Sequence, residues 1–473
     1  MLFNSLHFVL FFIIVYSLYR ALGFRWQNRL LLAASYYFYG VWDWRFLSLL
    51  LLSTAIDFLC ALEIHKSTSE ARRRLFIWLS VGSNLTVLGF FKYYNFFADS
   101  LQALAANLGV TLDDIALNII LPMGISFYTF QTMSYTIDVY RRRLAPCQNI
   151  WDFALYISFF PQLVAGPIER ALQLLPQLTN PRRISREQIA DGLWLIFFGF
   201  FLKVFVADNL SKVVDVGFTT SAPVSGDIAL ISTYAFAFQI FGDFAGYSSI
   251  AIGLGKLMGF ELMTNFRFPY LVTNPSDFWR NWHISLSSWL RDYLYIPLGG
   301  NRGSRFMHYR NLFLTMLLGG LWHGAAWTFV IWGAYQGGVL ILHRMLEPYL
   351  AKLRPASQGG TFAWWLIRVV FMFHITCIGW LIFRAQSAAQ IGDMLAAIFT
   401  MPGFSPTAWY YASQVAFYSG LLILVQVIQL RRNDLLAVIR LPMAPRVALL
   451  AAMFFLAAAF GEYGGQSFIY FQF

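Results

Sequence analysis

Charge is scarce in this chain. Asp, Glu, Lys and Arg make up 12% of its 473 residues, half of the roughly 25% usual in soluble domains, while 58% of the residues are hydrophobic. A soluble protein of this size has too little polar surface to cover so much apolar area. A bilayer accepts it, in crossings of about 20 residues each. Cysteine is scarcer still. Cys60, Cys147 and Cys377 are odd in number and far apart, and no CxxC or CxxH pair occurs, so neither a disulfide framework nor a zinc site is indicated. No P-loop, GxSxG elbow or HExxH helix is present. No low-complexity linker marks off a soluble module, and no internal repeat of the transporter kind is visible. Met1 to Leu22 lacks a basic leading region and a small-residue cleavage site, so it reads as a first membrane helix rather than a removed signal.

What the chain has in excess is aromatic side chains: 48 Phe, 24 Tyr and 16 Trp, which suit interfacial belts and a bulky lipid-facing surface. The formal net charge is +11. Its basic residues fall in short loops between apolar runs, where they set topology and meet anionic lipid, so membrane lipid and not nucleic acid is the expected partner. The apolar runs predict crossings near Phe8–Leu22, Leu30–Val41, Leu47–Leu62, Phe76–Phe90, Leu117–Val139, Leu193–Val206, Ala229–Phe244, Leu312–Leu321, Ala325–Leu342, Ala363–Phe383, Gln414–Leu430 and Val447–Phe460, roughly 12 by the length rule. Basic loops at Arg20–Arg29, His65–Arg74, Arg141–Arg143, Arg182–Arg186, Arg302–Arg310, Arg344–Arg354 and Arg431–Arg446 then all fall on one side. The positive-inside rule makes that side cytoplasmic and puts both termini outside. The expected fold is an all-α polytopic membrane protein, with one membrane domain over residues 1–473. Trp151–Pro167, interrupted by Pro161, Gly166 and Pro167, and the charge-rich Ser276–Arg310 do not read as simple spans. Broken backbone at membrane depth is tolerated when buried in protein or lining a cavity, and both stretches are expected to line a central cavity.

Of seven histidines, His7, His65, His308, His343 and His374 sit at span ends, in loops or alone in apolar surroundings. His323 differs. It lies in Gly319-Gly320-Leu321-Trp322-His323-Gly324, between two apolar runs. An ionisable group within a membrane segment is costly and functional by default, imidazole exchanges protons near neutral pH, and the flanking glycines allow close approach of another group to the backbone. A hydrogen-bonded core histidine fits the same facts. His283 lies in the run Trp279-Arg280-Asn281-Trp282-His283-Ile284-Ser285, followed by Arg291. If helical, Arg280 and His283 share a face and suit an anionic or thioester-bearing ligand; a solvated interfacial helix is the alternative. Asp138, Glu169, Asp208 and Asp243 lie in or near apolar segments. For Asp243, in Phe241-Gly242-Asp243-Phe244-Ala245-Gly246-Tyr247, pairing with a buried arginine is expected ahead of a proton relay. No residue stands out as the nucleophile of a covalent intermediate, which favours direct transfer with a histidine as base.

Four blocks resemble the membrane-bound O-acyltransferase (MBOAT) family, in its bacterial alginate O-acetyltransferase and teichoic-acid D-alanylation branch. They are Leu121–Gln131 followed by Asp138-Val139-Tyr140-Arg141; Phe159-Phe160-Pro161-Gln162-Leu163-Val164-Ala165-Gly166-Pro167-Ile168; Asp277-Phe278-Trp279 through Tyr295-Ile296-Pro297-Leu298-Gly299-Gly300-Asn301-Arg302; and Leu321-Trp322-His323-Gly324-Ala325-Ala326-Trp327. The likeness continues to the terminal Phe468–Phe473. It implies a funnel-shaped helical fold with a tunnel joining a cytoplasmic acyl donor to an acceptor on the other face. It maps the family's catalytic histidine onto His323 and its second histidine onto His283. Arg280, Trp282, Ser285 and Arg291 become the donor-side candidates. Acetyl-coenzyme A is the implied donor, as substrate, with no metal. A periplasmic or membrane-anchored acetyltransferase that modifies the polysaccharide is the implied partner, and the bacterial inner membrane the location. D-alanyl transfer to teichoic acid, or a non-enzymatic transporter or scaffold for lipid-linked sugar, are the alternatives. Asn281 stands where relatives often carry a second Arg, and Gln336 where many have a histidine, which implies that this third position is dispensable for catalysis.

Overall fold

The computed structural model describes residues 1–113, 115–163, 166–219, 223–353, 357–464 and 468–469. Val164 and Ala165 of the second block, Tyr470–Phe473 of the terminal one, and Arg354 of the basic loops lie outside the described residues. Among those described, every regular element is helical. They fall into two compact units, one of Met1–Gly192 with Ala251–Met263, the other of Leu193–Ile250 with Thr264–Phe473.

The first unit contains α1 (Leu6–Ala21), α2 (Phe24–Asp43), α3 (Leu47–Lys66), α4 (Glu70–Leu88), α5 (Tyr94–Asn107), α6 (Ile125–Tyr140) and the short α7 (Ile150–Ser158), α8 (Phe160–Leu163) and α9 (Ala171–Thr179). The starts of α1 and α4 are fixed by Ser5 and Ser69, whose hydroxyls accept from Phe8 N and Arg72 N. The predicted span Leu117–Val139 starts late, at Ile125. Pro122 cannot supply a helical N–H, and Gly124 turns the chain at φ 72°, a conformation that glycine adopts without a Cβ penalty. The helices α3, α4 and α6 are joined by a buried polar cluster: Asn84 Nδ2 donates to Asp57 Oδ2 at 2.8 Å, Ser80 Oγ donates to Asp57 Oδ1, and Asn84 Oδ1 accepts from Thr132 Oγ1 at 3.2 Å. Such bonds hold helices together where lipid offers no hydrophobic drive between them. The broken stretch after Trp151 is buried from Phe153 to Leu163. Loops assigned to one side by charge meet in pairs here. Arg182 Nη2 donates to Asn28 Oδ1 at 2.8 Å, and Arg73 Nη2 donates to Tyr140 O.

The second unit holds most of α10 (Arg186–Phe200), then α11 (Asp208–Phe218), most of α12 (Gly226–Leu257), α13 (Pro275–Asn281), α14 (Ile284–Leu290), α15 (Arg305–His323), α16 (Trp327–Lys352), α17 (Gln358–Arg384), α18 (Ala388–Thr400), α19 (Pro406–Arg432) and α20 (Met443–Phe460). By length and composition, seven helical stretches of the described chain could cross a membrane, with α1 and α18 as shorter apolar helices. This multi-pass architecture matches the all-α expectation, and each stretch read as a crossing contains helix. The span predicted as Ala229–Phe244 is a 32-residue helix. Apolar patterning stops at Asp243, but the helix does not, because Asp243 is paired inside the protein. Its partner is a lysine and not the expected arginine. Lys203 Nζ lies 2.8 Å from Asp208 Oδ1 and 2.8 Å from Asp243 Oδ1, with side chains 1%, 3% and 4% exposed. Lys203 and its neighbours Phe201–Ala207 form a π-helical turn between α10 and α11.

Removing one member of a buried ion cluster leaves uncompensated charge. Lys203→Met is therefore expected to cost on the order of 3–5 kcal/mol, read as a fall in melting temperature of the detergent-purified protein. Adding Asp208→Asn and Asp243→Asn to it should restore much of the loss.

Candidate functional site

Asn274 opens α13 by accepting from Asp277 N, and Pro275 supplies a preset first turn. The helix ends at Asn281, whose Nδ2 donates to Asp277 O at 2.7 Å. Trp282 is then extended and His283 left-handed, at φ 44° and ψ 55°. A left-handed non-glycine residue is uncommon, and surrounding hydrogen bonds hold this one. Arg267 N donates to Asn281 O at 3.0 Å and Ile284 N to Asn265 O at 2.9 Å. Asn265 Oδ1 accepts from Ser285 Oγ at 2.7 Å, while Asn265 Nδ2 donates to Ser248 Oγ at 3.1 Å. The break in the helix overturns the shared face of Arg280 and His283. Arg280 is 77% exposed and pairs with Asp277 at 3.1 Å, whereas His283 is fully buried. Trp282 is also buried, with its ring 4.7 Å from Trp380.

His323 is the last residue of α15, and the chain leaves the helix extended at Gly324. The glycines around it do admit a close neighbour, and that neighbour is α16. A Cβ on Gly320 would stand 2.3 Å from Phe329 O, one on Gly333 2.6 Å from Met316 O, and one on Gly324 2.1 Å from the Phe329 ring. Small residues let helix backbones touch in this way. The contact brings Trp332 edge-on to the imidazole at 5.0 Å, with Phe383 of α17 at 5.4 Å and Trp322 at 5.1 Å. The His283 and His323 rings are 6.4 Å apart, with Phe244 against the far one at 4.6 Å.

Beside His323 opens a cavity of about 420 Å³. Leu312, Thr315, Met316, Gly319 and His323 line it from one face of α15, Trp332, Leu340 and Arg344 from α16, and Trp279, Leu286, Leu290 and Arg291 from the third wall. The turn of residues 324–326 makes α15 and α16 antiparallel, with Phe329 O beside Gly320 and Met316 O beside Gly333, so that Arg344 reaches the level of His308. At 1.5 Å per residue the slot runs about 16 Å from Leu312 to His323. Asn301, Arg344 and Arg291 also line it. Arg344 Nη1 contacts His308 Nε2, so the basic stretches Arg302–Arg310 and Arg344–Arg354 meet at the end away from His323, while Arg291 follows Leu290, which faces Gly319, and pairs with Asp292 at 2.8 Å. Of the predicted residues, the slot brings together His323 and Arg291. His283 and Trp282 stand behind its wall, Ser285 is committed to Asn265, and Arg280 is elsewhere on the surface. Trp279, Trp332 and Arg344 were missed, although Trp279 lies inside the block that runs from Asp277 to Arg302. Gln336 is buried on α16 against α17, where a Cβ on Gly379 would stand 2.6 Å from its Nε2. Among the described residues no group of three or more His, Cys, Asp or Glu could hold a metal ion.

The membrane-bound O-acyltransferase family model matches residues 142–384, a span that contains both histidines and the whole slot. The chain is 44% identical over 408 residues to a probable alginate O-acetylase of Azotobacter vinelandii, covering 85% of this chain and 78% of that protein. It is 36% identical over 401 residues to the peptidoglycan O-acetyltransferase of Helicobacter pylori, covering 79% and 74%. To the teichoic acid D-alanyltransferase of Bacillus subtilis it is 29% identical over 288 residues, covering 57% and 70%.

The α15–α16 contact leaves no room for a methyl group. Gly320→Ala is expected to destabilise the protein by about 1–3 kcal/mol through overpacking, seen as a lower melting temperature in detergent, and to reduce activity in the surviving folded fraction.

Proposed function

Because the chain belongs to the membrane-bound O-acyltransferase family, we propose that it passes an acetyl group from acetyl-coenzyme A on the cytoplasmic side toward an exported or cell-surface polysaccharide, with His323 as the base. The observation that carries this reading is the slot: a buried imidazole at one end, Arg344 at the other, Arg291 on the wall, and a largely apolar lining between. Arg291 and Arg344 suit the phosphates of a coenzyme A thioester, and the slot suits its extended arm. The basic loops at that end then face the cytoplasm of a bacterial inner membrane, and both termini face the periplasm.

In the transfer, an imidazole nitrogen of His323 accepts the proton of the acceptor hydroxyl as the hydroxyl oxygen attacks the thioester carbonyl. The new C–O bond forms, the C–S bond breaks, and the imidazolium returns its proton to the departing thiolate. No covalent enzyme intermediate is needed. Excluding water from this site protects the thioester and strengthens the electrostatics around the developing charge. His283 is too distant for a direct hydrogen bond to His323 and acts on the shape of the site through the rings around it. Two relatives named for O-acetylation of alginate and of peptidoglycan match this chain over more of its length than the D-alanyltransferase does, which favours acetyl over D-alanyl. They also favour a polysaccharide as the final acceptor, reached through a periplasmic or membrane-anchored partner acetyltransferase. Membership of an enzyme family removes the transporter and scaffold alternatives.

His323→Ala is expected to lower transfer from labelled acetyl-coenzyme A by about 10²–10⁴-fold while the protein remains folded in the membrane; transfer at the parent rate would refute the assignment. Arg291→Ala and Arg344→Ala should raise KM for acetyl-coenzyme A with little change in kcat, the signature of lost donor binding. An unchanged KM in both would remove the donor from this slot.

A further inference from the structure

The cluster of Lys203, Asp208 and Asp243 takes no part in the transfer as described. A single ammonium there faces two carboxylates in a dry interior, an arrangement that costs stability, so the second carboxylate calls for a reason. Asp208 lies one helical turn from Lys203 on the same stretch of chain. Asp243 comes from α12 and does something more: its Oδ2 accepts the backbone N–H of Ile469 at 2.6 Å, across 226 residues of sequence. The chain leading there is fastened to the same π turn and to α11. Glu462 N donates to Val204 O at 2.9 Å, Asn209 Nδ2 donates to Phe460 O at 2.8 Å, and Lys212 pairs with Glu462. Once docked, Phe468 packs its ring 4.7 Å from Tyr247 and 5.8 Å from Phe244. Tyr247 in turn lies under Lys203, whose Nζ is 5.6 Å from the ring. Phe244, next in sequence to Asp243, presses edge-on against His283 at 4.6 Å and 81°.

We propose that Asp243 is a positioning residue of the transfer site: braced by Lys203, it docks the Phe468–Ile469 segment so that Phe468 backs Phe244, and Phe244 fixes the ring of His283 beside His323. The proposal rests on the reading of these two histidines as the reaction centre. Docking and chemistry are read separately.

The side chain of Ile469 is 2% exposed, and Cys60 and Cys377 are buried. Ile469→Cys in a Cys147→Ser background therefore reports docking by its reaction with a hydrophilic maleimide in membranes. Asp243→Ala is expected to raise labelling of that cysteine about tenfold or more. Without the reporter cysteine, Asp243→Ala should lower kcat for acetyl transfer by roughly a hundredfold, with KM for acetyl-coenzyme A held. Asp243→Asn keeps an oxygen that can accept from Ile469 N–H, and should keep the cysteine protected and kcat within about threefold of the parent. Phe468→Ala leaves the ion cluster intact and should lower kcat while the melting temperature stays near that of the parent. Protection of the cysteine in Asp243→Ala, equal loss of kcat in the Asn and Ala variants, or parent-level kcat in Phe468→Ala would each overturn the proposal. Failure of the underlying reading shows differently, as parent-level transfer by His323→Ala whatever the labelling.

Discussion

Backbone meets backbone between α15 and α16, and the site depends on that contact. Gly320, Gly324 and Gly333 leave no side chain to hold the two helices apart, so the pair packs more closely than a leucine-lined pair could. The closeness puts Trp332 against the imidazole of His323 and aligns the lining faces of both helices along one slot. It also sets the direction of the slot, because the short turn at residues 324–326 returns the chain antiparallel and leaves Arg344 beside His308, about four turns from His323. A histidine at a helix end is ordinarily a solvated residue. Here the same end is closed by three aromatic rings, and the imidazole is held away from water.

Where the helices are irregular, the irregularity carries polar chemistry. Regular helices satisfy their own backbone and need nothing from neighbours in a bilayer. The π turns at Gly89–Tyr93, Phe201–Ala207 and Arg291–Tyr295 contain Lys92, Lys203 and Arg291, and such turns are often found at functional sites. The break at Trp282–His283 is of the same kind. Its backbone groups are taken up by the strand-like run Asn265–Arg267, and the Asn265 side chain completes the arrangement by binding Ser285 and Ser248. Each departure from helix is thus paired with groups that compensate it.

The architecture was legible in the sequence because apolar runs and basic loops are local signals. His323 was legible for the same reason: an ionisable residue between glycines in an apolar run is anomalous without reference to any other segment. What escaped was set by distant partners. The length of α12 could not be read past Asp243, since the lysine that makes the carboxylate tolerable lies 40 residues earlier. The common face of Arg280 and His283 followed from assuming a continuous helix, and the left-handed turn at His283 is imposed by Asn265, which carries no mark of its own in sequence. The late start of α6 had local signals in Pro122 and Gly124, but the apolar run outweighed them. Arg344 joined the slot only through the antiparallel return of α16.

The three walls of the slot also differ in compliance. The α15–α16 pair has no side-chain cushion to compress, so it behaves as a fixed jaw. The wall from Trp279 to Tyr295 is interrupted twice, at the left-handed His283 and at the π turn beginning with Arg291. If the slot takes a bulky donor as proposed, any change of bore falls more readily on this second wall, at its two interruptions. On the proposed reading, Arg291, which would meet the donor, sits at one interruption, and His283, behind His323, sits at the other, so a change at either end of this wall reshapes both the donor's entrance and the surroundings of the imidazole.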